Sequence, residues 1–282
     1  MGGRGTSANQ GRSTGSVALG TARASSSGTS GGGGGGSNQP SALNSNGTAN
    51  FTQMQNGVTI SVGGVGQLSQ MTDDQMEQVV RSSYKIDMPN QLKDARDRTQ
   101  RFVYAIGLNE KPEVLDDKAF NKYLSDNNIP KSAIISRSVS NPPPYQVNGI
   151  TYQLTAQDVT DMLKYSSLNY IGGKHGGQAY GAGTYFEQNG GKNTGYGRGA
   201  TMIGVINRQK ANIITRNNLL NKIPAFQKSH PKTAAAIGAV SSRNYSIYAA
   251  CMGYNVISSG SGSGTYFNVI DRAALILRKS NL

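Results

Sequence analysis

Between Gly176 and Phe186 the chain reads Gly-Gly-Gln-Ala-Tyr-Gly-Ala-Gly-Thr-Tyr-Phe, its densest run of residues able to hold a ligand. Glycines admit positive φ and let backbone approach a bound molecule closely. The aromatic residues among them offer flat faces against which a ring can stack. Tyr196, ten residues past Phe186, extends the pattern inside Thr194-Gly195-Tyr196-Gly197. Such a stretch suits a planar, polar ligand, and its competing reading is a glycine-rich surface loop whose tyrosines simply pack. His175, in Gly-Gly-Lys-His-Gly-Gly, just precedes it and reads first as a loop histidine and second as a substrate contact.

Carboxylates that could work beside such a ligand are few. From Met162 to Leu282 there are 14 Lys and Arg but only two acids, Glu187 and Asp271. Glu187 directly follows Phe186, and its plain reading is a solvated loop charge. Asp271 ends the last long strand of the sequence pattern, where it can equally pair with Arg272 or cap the next turn.

The elements that must position these residues can be read along the chain. Ile134 to Val139 is a strand closed off by Pro142 to Pro144, which cannot donate to a ladder. Leu154 to Tyr165 is a helix capped by Thr155, with Val159, Met162 and Leu163 on one face. A glycine-dense loop then spans Gly172 to Gly199. Ala200 to Asn207 is an apolar strand, Ile213-Ile214 a short one, and Tyr245 to Met252 a helix ended by Gly253. Asn255 to Ile257 and Tyr266 to Ile270 are strands around a Gly/Ser turn, with Leu275 to Leu277 as a last strand. Upstream, Thr72-Asp73-Asp74-Gln75 starts a helix whose Met76, Val79 and Val80 form a stripe. A second helix is expected from about Pro89 to Ile106 and a third around Phe120, Tyr123 and Leu124. Elements of unequal length without regular βαβ alternation predict a mixed, mainly antiparallel α+β domain. Gly-Thr-Tyr-Phe occurs twice, at Gly183 to Phe186 and at Gly264 to Phe267, which is too little for a repeat architecture.

Composition divides the 282 residues into a disordered Gly/Ser-rich tail (1–56), a helical N-terminal region (57–128) and the α+β domain (129–282). The tail includes six consecutive glycines from Gly31 and cannot bury enough apolar surface to offset its ordering entropy. The formal charge is +13, with no acid before Asp73 and the surplus concentrated after Met162, so polyanions and phosphate-bearing cofactors are natural partners. A single cysteine, Cys251, excludes an intrachain disulfide, and with only two histidines no metal-ligand cluster is expected. No apolar run reaches a membrane span and no signal-peptide core is present, so the expected location is cytoplasmic in an infected host or virion-associated, without membrane contact. No Walker phosphate-binding loop occurs.

From residue 130 onward the chain resembles the ADP-ribosyltransferase superfamily, which includes poly(ADP-ribose) polymerases. The resemblance rests on order and spacing. A short strand ends in Arg137-Ser138, followed by Gly181 to Phe186 as a G-x-G-x-Y-F element. Thr194 and Tyr196 come next, then the strand Ala200 to Asn207, and finally Tyr248 to Asp271 as helix, Gly-Tyr-Asn, turn and closing strand. The helical stretch and Gly/Ser tail also look like those of phage-encoded virion proteins that carry such a domain.

The resemblance implies a split ADP-ribosyltransferase-like core, NAD as cofactor and transfer of ADP-ribose to a macromolecular acceptor, a host protein or nucleic acid. Arg137, with Ser138, would hold the ribose or a phosphate of NAD. Tyr185 and Tyr196 would sandwich the nicotinamide, Thr194 would meet its carboxamide, and Gly181, Gly183, Thr184 and Phe186 would form the floor. Nicotinamide would leave through an oxocarbenium-like transition state, which a nearby carboxylate favours. The acid expected at the start of the closing strand, around Tyr266 to Asn268, is absent, which leaves Glu187 and Asp271 as the catalytic candidates beside Arg137 and Tyr185. Two alternatives stand beside the enzyme. One is a virion or structural protein with a degenerate NAD-binding-like domain, and the other a basic nucleic-acid-binding module.

Overall fold

The computed structural model describes residues 51–55, 58–62, 64–84, 101–103, 106, 111–147, 150–165, 181–194, 197–260 and 264–282. In chain order its elements begin with the antiparallel hairpin β1 (Phe51–Gln55) and β2 (Val58–Val62), which straddles the tail boundary expected at residue 56. Helices α1 (Gly64–Leu68) and α2 (Asp73–Ser83) follow, then β3 (Glu113–Leu115), α3 (Asp117–Asp126) and β4 (Ile135–Val139). Next come the hairpin β5 (Tyr145–Val147) and β6 (Ile150–Tyr152), helix α4 (Ala156–Tyr165) and strands β7 (Thr184–Gln188), β8 (Ala200–Ile206) and β9 (Ile213–Thr215). The chain closes with α5 (Arg216–Ser229), α6 (Pro231–Ile237), α7 (Tyr245–Cys251), β10 (Val256–Ser259), β11 (Thr265–Val269) and β12 (Leu275–Arg278). The rest of the tail and most of the helix expected from Pro89 lie outside the described residues.

Local chemistry accounts for the helix starts. Thr72 and Gln75 exchange bonds as a capping box, the Gln75 amide donating to Thr72 Oγ1 at 3.3 Å and the Thr72 amide to Gln75 Oε1 at 3.0 Å. Thr155 and Asp158 do the same for α4 at 3.2 and 2.9 Å. Asp116 caps α3 through the Ala119 amide at 2.7 Å. The last turn of α4 is held by buried Arg272, whose Nη1 donates to the Leu163 carbonyl at 2.6 Å.

Helices α5 and α6 stand where the sequence pattern predicts no helix. Pro224 lies inside α5, lacks an N–H and breaks the internal bond to Leu220, a cost of roughly 3 kcal/mol. Leu219, Ile223 and Phe226 are buried along one side of α5, each worth about 1.5–3 kcal/mol on transfer from water, and together they outweigh that cost.

One eight-stranded sheet, in the order β3-β12-β8-β4-β7-β11-β10-β9, organises the rest. The two edge pairings, β3 with β12 and β9 with β10, are parallel, and the five between them are antiparallel. The expected mixed, mainly antiparallel α+β architecture is therefore present, as a single continuous ladder. Its two faces differ. On the face covered by α4, an apolar layer runs from Met202, Leu275 and Leu277 through Ile135 and Val139 to Phe186, Val256 and Val269, with Arg137 set among them. The opposite face, covered by α7, carries two separate cores. Ile214, Ile257 and Ile270 pack with α1, α2, α5, α6 and α7 at one end, and Ile203, Val205 and Ile276 pack with Phe120 of α3 at the other. The segment 64–84, with Phe102, Val103 and Ile106, thus shares its core with the C-terminal helices.

Candidate functional site

Between those two cores the α7 face turns polar. Strand alternation puts Ser136, Ser138 and Thr201 there, together with Tyr185, Glu187, Tyr266, Asn268 and Ser259. Four of these lie in one cross-strand row, because Ser259 pairs with Tyr266, Tyr266 with Glu187, and Glu187 with Ser136. At about 4.8 Å per strand the row is roughly 14 Å long.

Residues 189–194 run up β4 over this strip. Ser136 Oγ donates to Asn189 Oδ1 at 2.9 Å and to the Lys192 carbonyl, and Ser138 Oγ bonds Asn193 Oδ1 at 3.1 Å and Thr201 Oγ1 at 2.9 Å. The Thr194 amide donates to Ser138 Oγ at 3.0 Å, and Gly197 sits so close to Val139 that a Cβ would lie 2.6 Å from its backbone. The serines on the polar side of β4 therefore fix residues 189–194, while Ile135, Arg137 and Val139 take the opposite side.

Strands β4 and β7 part early. Their ladder has only the pairs Ile135 with Gln188 and Ser136 with Glu187, while β4 continues along β8 to Val139 and β7 continues along β11 to Thr184. Arg137 spans the place where they separate, its Nη1 donating to the Tyr185 carbonyl at 3.1 Å. Arg137, Ser138, Tyr185, Phe186 and Thr194 thus gather at one point of the sheet. They do so from two sides. Arg137 stands opposite Met202, on the α4 face with Phe186, whereas the Tyr185 side chain stands on the α7 face, where its hydroxyl donates to the Gly181 carbonyl at 2.5 Å.

The glycines are filled by protein. A Cβ at Gly181, where φ is +89°, would meet the Arg243 carbonyl at 2.6 Å and Ser246 Oγ at 2.7 Å. At Gly183 a Cβ would lie 1.8 Å from Asn268 Oδ1. Here the close approach serves α7 and β11. Asn268, in the closing strand where an acid was expected, is 1% exposed and its amide donates to Ser246 Oγ at 3.1 Å. Thr184 is 2% exposed, and its hydroxyl has no hydrogen-bond partner among the described residues.

The two acids do not meet. Asp271 lies beyond the end of β11 at Val269, whereas Glu187 pairs with Tyr266 near the other end of that strand. It caps its own turn by accepting from the Ala273 amide at 3.0 Å. Glu187 is half-buried beside Tyr185 and Tyr266, and its carboxylate has no hydrogen-bond or ion-pair partner among the described residues. Tyr196 and His175 lie outside the described residues. Tyr266 and Ser259 were not singled out from sequence, although the second Gly-Thr-Tyr-Phe was the available signal for Tyr266. Among the described residues no group of acids, histidines and cysteine could hold a metal ion, and no helix is long and apolar enough to cross a membrane.

This geometry offers hydroxyl and amide donors, aromatic faces, one unneutralised carboxylate and one guanidinium at a break in the sheet. Comparisons of the chain with protein-family models, with curated proteins and with solved structures give no match, and the roles of these residues rest on the geometry alone.

Proposed function

We propose that this chain binds NAD at the parting of β4 and β7 and transfers ADP-ribose to a macromolecular acceptor, in the manner of a mono-ADP-ribosyltransferase with a split core. The observation that carries the reading is the convergence of Arg137, Ser138, Tyr185 and Thr194, distant in sequence, on that one break in the ladder. Glu187 is the carboxylate of choice for the ribose. It shares the α7 face with Tyr185, two residues away, whereas Asp271 is committed to its own turn. A carboxylate there would stabilise positive charge developing on the sugar as nicotinamide leaves. Arg137 would act from the other side of the break, as a planar cation suited to a phosphate and as the tie that fixes the Tyr185 backbone.

A second reading has its own support. Gly181 and Gly183 are accounted for by Ser246 and Asn268, and the closing strand carries an amide in place of an acid. These features fit a non-catalytic domain, and with the Gly/Ser tail a structural or virion-associated role. Incubation with labelled NAD and a host-cell lysate separates the two. The enzyme reading expects nicotinamide release and label transfer, both lost in Glu187→Gln and Arg137→Ala. Release unchanged in Glu187→Gln, or no release by the unmodified chain, refutes it.

A further inference from the structure

Pro142, Pro143 and Pro144 join β4 to the β5–β6 hairpin, away from the residues assigned to NAD. Proline fixes its own φ near −65°. A residue that precedes proline is also kept out of the helical region. Asn141, Pro142 and Pro143 each precede a proline, so the backbone there is driven toward the polyproline II form. That form rises about 3.1 Å per residue and makes no internal hydrogen bonds. Residues 140–144 accordingly belong to no helix or strand.

Bonds from three other parts of the chain hold the segment at its start. Ser140 Oγ accepts from the Arg198 amide at 3.1 Å, Asn141 Oδ1 from the Ala156 amide at 2.8 Å, and the Pro142 carbonyl from Gln153 Nε2 at 2.5 Å. At its far end Tyr145 pairs with Tyr152 in the hairpin. Pro142 is partly buried, whereas Pro143 and Pro144 are exposed. One proline is enough to end a strand. Two more, turned outward on a segment braced at both ends, form a shape that a partner can take without ordering it first. Two neighbours add to this surface. The hairpin pairs with no other strand among the described residues and leaves Ile150 42% exposed. Arg198, beside Ser140, is exposed and has no ion-pair partner among the described residues.

We infer that Pro143 and Pro144 are a docking ridge for a partner protein that reads polyproline II through a slot between aromatic side chains, with a carboxylate at the rim of the slot for Arg198. Aromatic-lined grooves take such segments because the ligand is rigid before it binds. Adjacent prolines suit a slot of the WW type. A groove of the SH3 type reads prolines three residues apart, and the residue three past Pro142 is Tyr145. The ridge owes nothing to the NAD site, and it stands or falls separately from it.

A WW domain serves as the probe, with an SH3 domain in parallel, each titrated with the full chain. The chain contains no tryptophan, so the fluorescence of the probe's own groove tryptophan reports docking directly. The WW signal should change and saturate, and the SH3 signal should stay flat. Pro144→Ala should weaken WW binding about tenfold, as expected for two methylenes no longer buried. Arg198→Glu should weaken it about threefold at low salt, with the difference fading as salt is raised. No saturable WW signal, or tighter binding of the SH3 domain, overturns the inference. So does equal WW affinity in Pro144→Ala when its circular dichroism is unchanged. Should Pro144→Ala alter the fold, Arg198→Glu decides: WW affinity equal to that of the unmodified chain at low salt overturns the ridge, and the salt-dependent loss upholds it.

Discussion

Replacing Gly183 by alanine tests what the glycines of the Gly/Tyr segment are for. The new Cβ would lie 1.8 Å from Asn268 Oδ1 and 3.0 Å from the Val269 carbonyl, far inside contact distance. Asn268 is fully packed and its amide is tied to Ser246 Oγ, so it cannot swing away at no cost. Overpacking of this kind costs about 1–3 kcal/mol. For a fold of this size that corresponds to a fall in Tm of roughly 4–8 °C at 2 kcal/mol. Asn268→Ala alone forfeits the bond to Ser246, about 1 kcal/mol, while Ser246 keeps its own bond to the Ala182 carbonyl. In the Asn268→Ala background the added methyl meets no amide, and Gly183→Ala should cost less, keeping only the contact with the Val269 carbonyl and the strain of its positive φ. Urea and thermal unfolding followed by circular dichroism would then give a favourable coupling of about 2 kcal/mol between the two sites. Additivity of the two changes to within about 0.5 kcal/mol would refute the packing account. A fully stable Gly183→Ala protein with lost ligand affinity would return the glycine to the ligand.

Two further outcomes are expected of buried titratable groups. Lys164 of α4 is buried, its ammonium donating to the Lys279 carbonyl and Asn281 Oδ1 at 2.7 Å each, and burial lowers its pKa to about 8. The unfolded chain therefore binds more protons than the folded one between about pH 8 and 10.5, and stability contributed by this group rises with pH across that window. Lys164→Met should flatten that rise, measured as urea midpoints from pH 7.5 to 10.5; an unchanged slope refutes the assignment. Cys251 is 1% exposed in α7, and burial pushes its thiol pKa upward. It should react with a thiol reagent only at the rate of unfolding, and fast labelling of the native chain contradicts its placement.

Much of the architecture was legible because it is written locally. Thr72 with Gln75 and Thr155 with Asp158 announce their helices, and the apolar run read as a strand from Ala200 to Asn207 forms β8. Helices α5 and α6 were hidden by Pro224 and by asparagines at the start of α5, since their stability comes from a core shared with residues 64 to 84. The site was legible in its residue types and illegible in its sides. Alternation along β4 and β7 fixes which residues share a face only after the register between them is known. That register sends Arg137 to the face opposite Tyr185 and brings Tyr266 beside Glu187. Likewise nothing near Gly183 in sequence could reveal that Asn268 fills the space a side chain would need.

The polar strip itself argues that this sheet does more than fold. On the α4 face the same four central strands bury Ile135, Val139, Phe186, Met202 and Val269, interrupted by Arg137 at the break between β4 and β7. On the α7 face the corresponding positions are Ser136, Ser138, Tyr185, Glu187, Asn268 and Thr201, between two apolar cores that could have been continuous. Each such position forgoes roughly 1.5–3 kcal/mol of apolar burial. Ser136 and Ser138 recover part of it by fixing the loop from Asn189 to Thr194, and Asn268 by holding Ser246. Glu187 recovers none through a hydrogen bond or ion pair to the described residues, and it sits where the strip is most open. A carboxylate kept at such a position against the pull of packing is best understood through what it meets from solution.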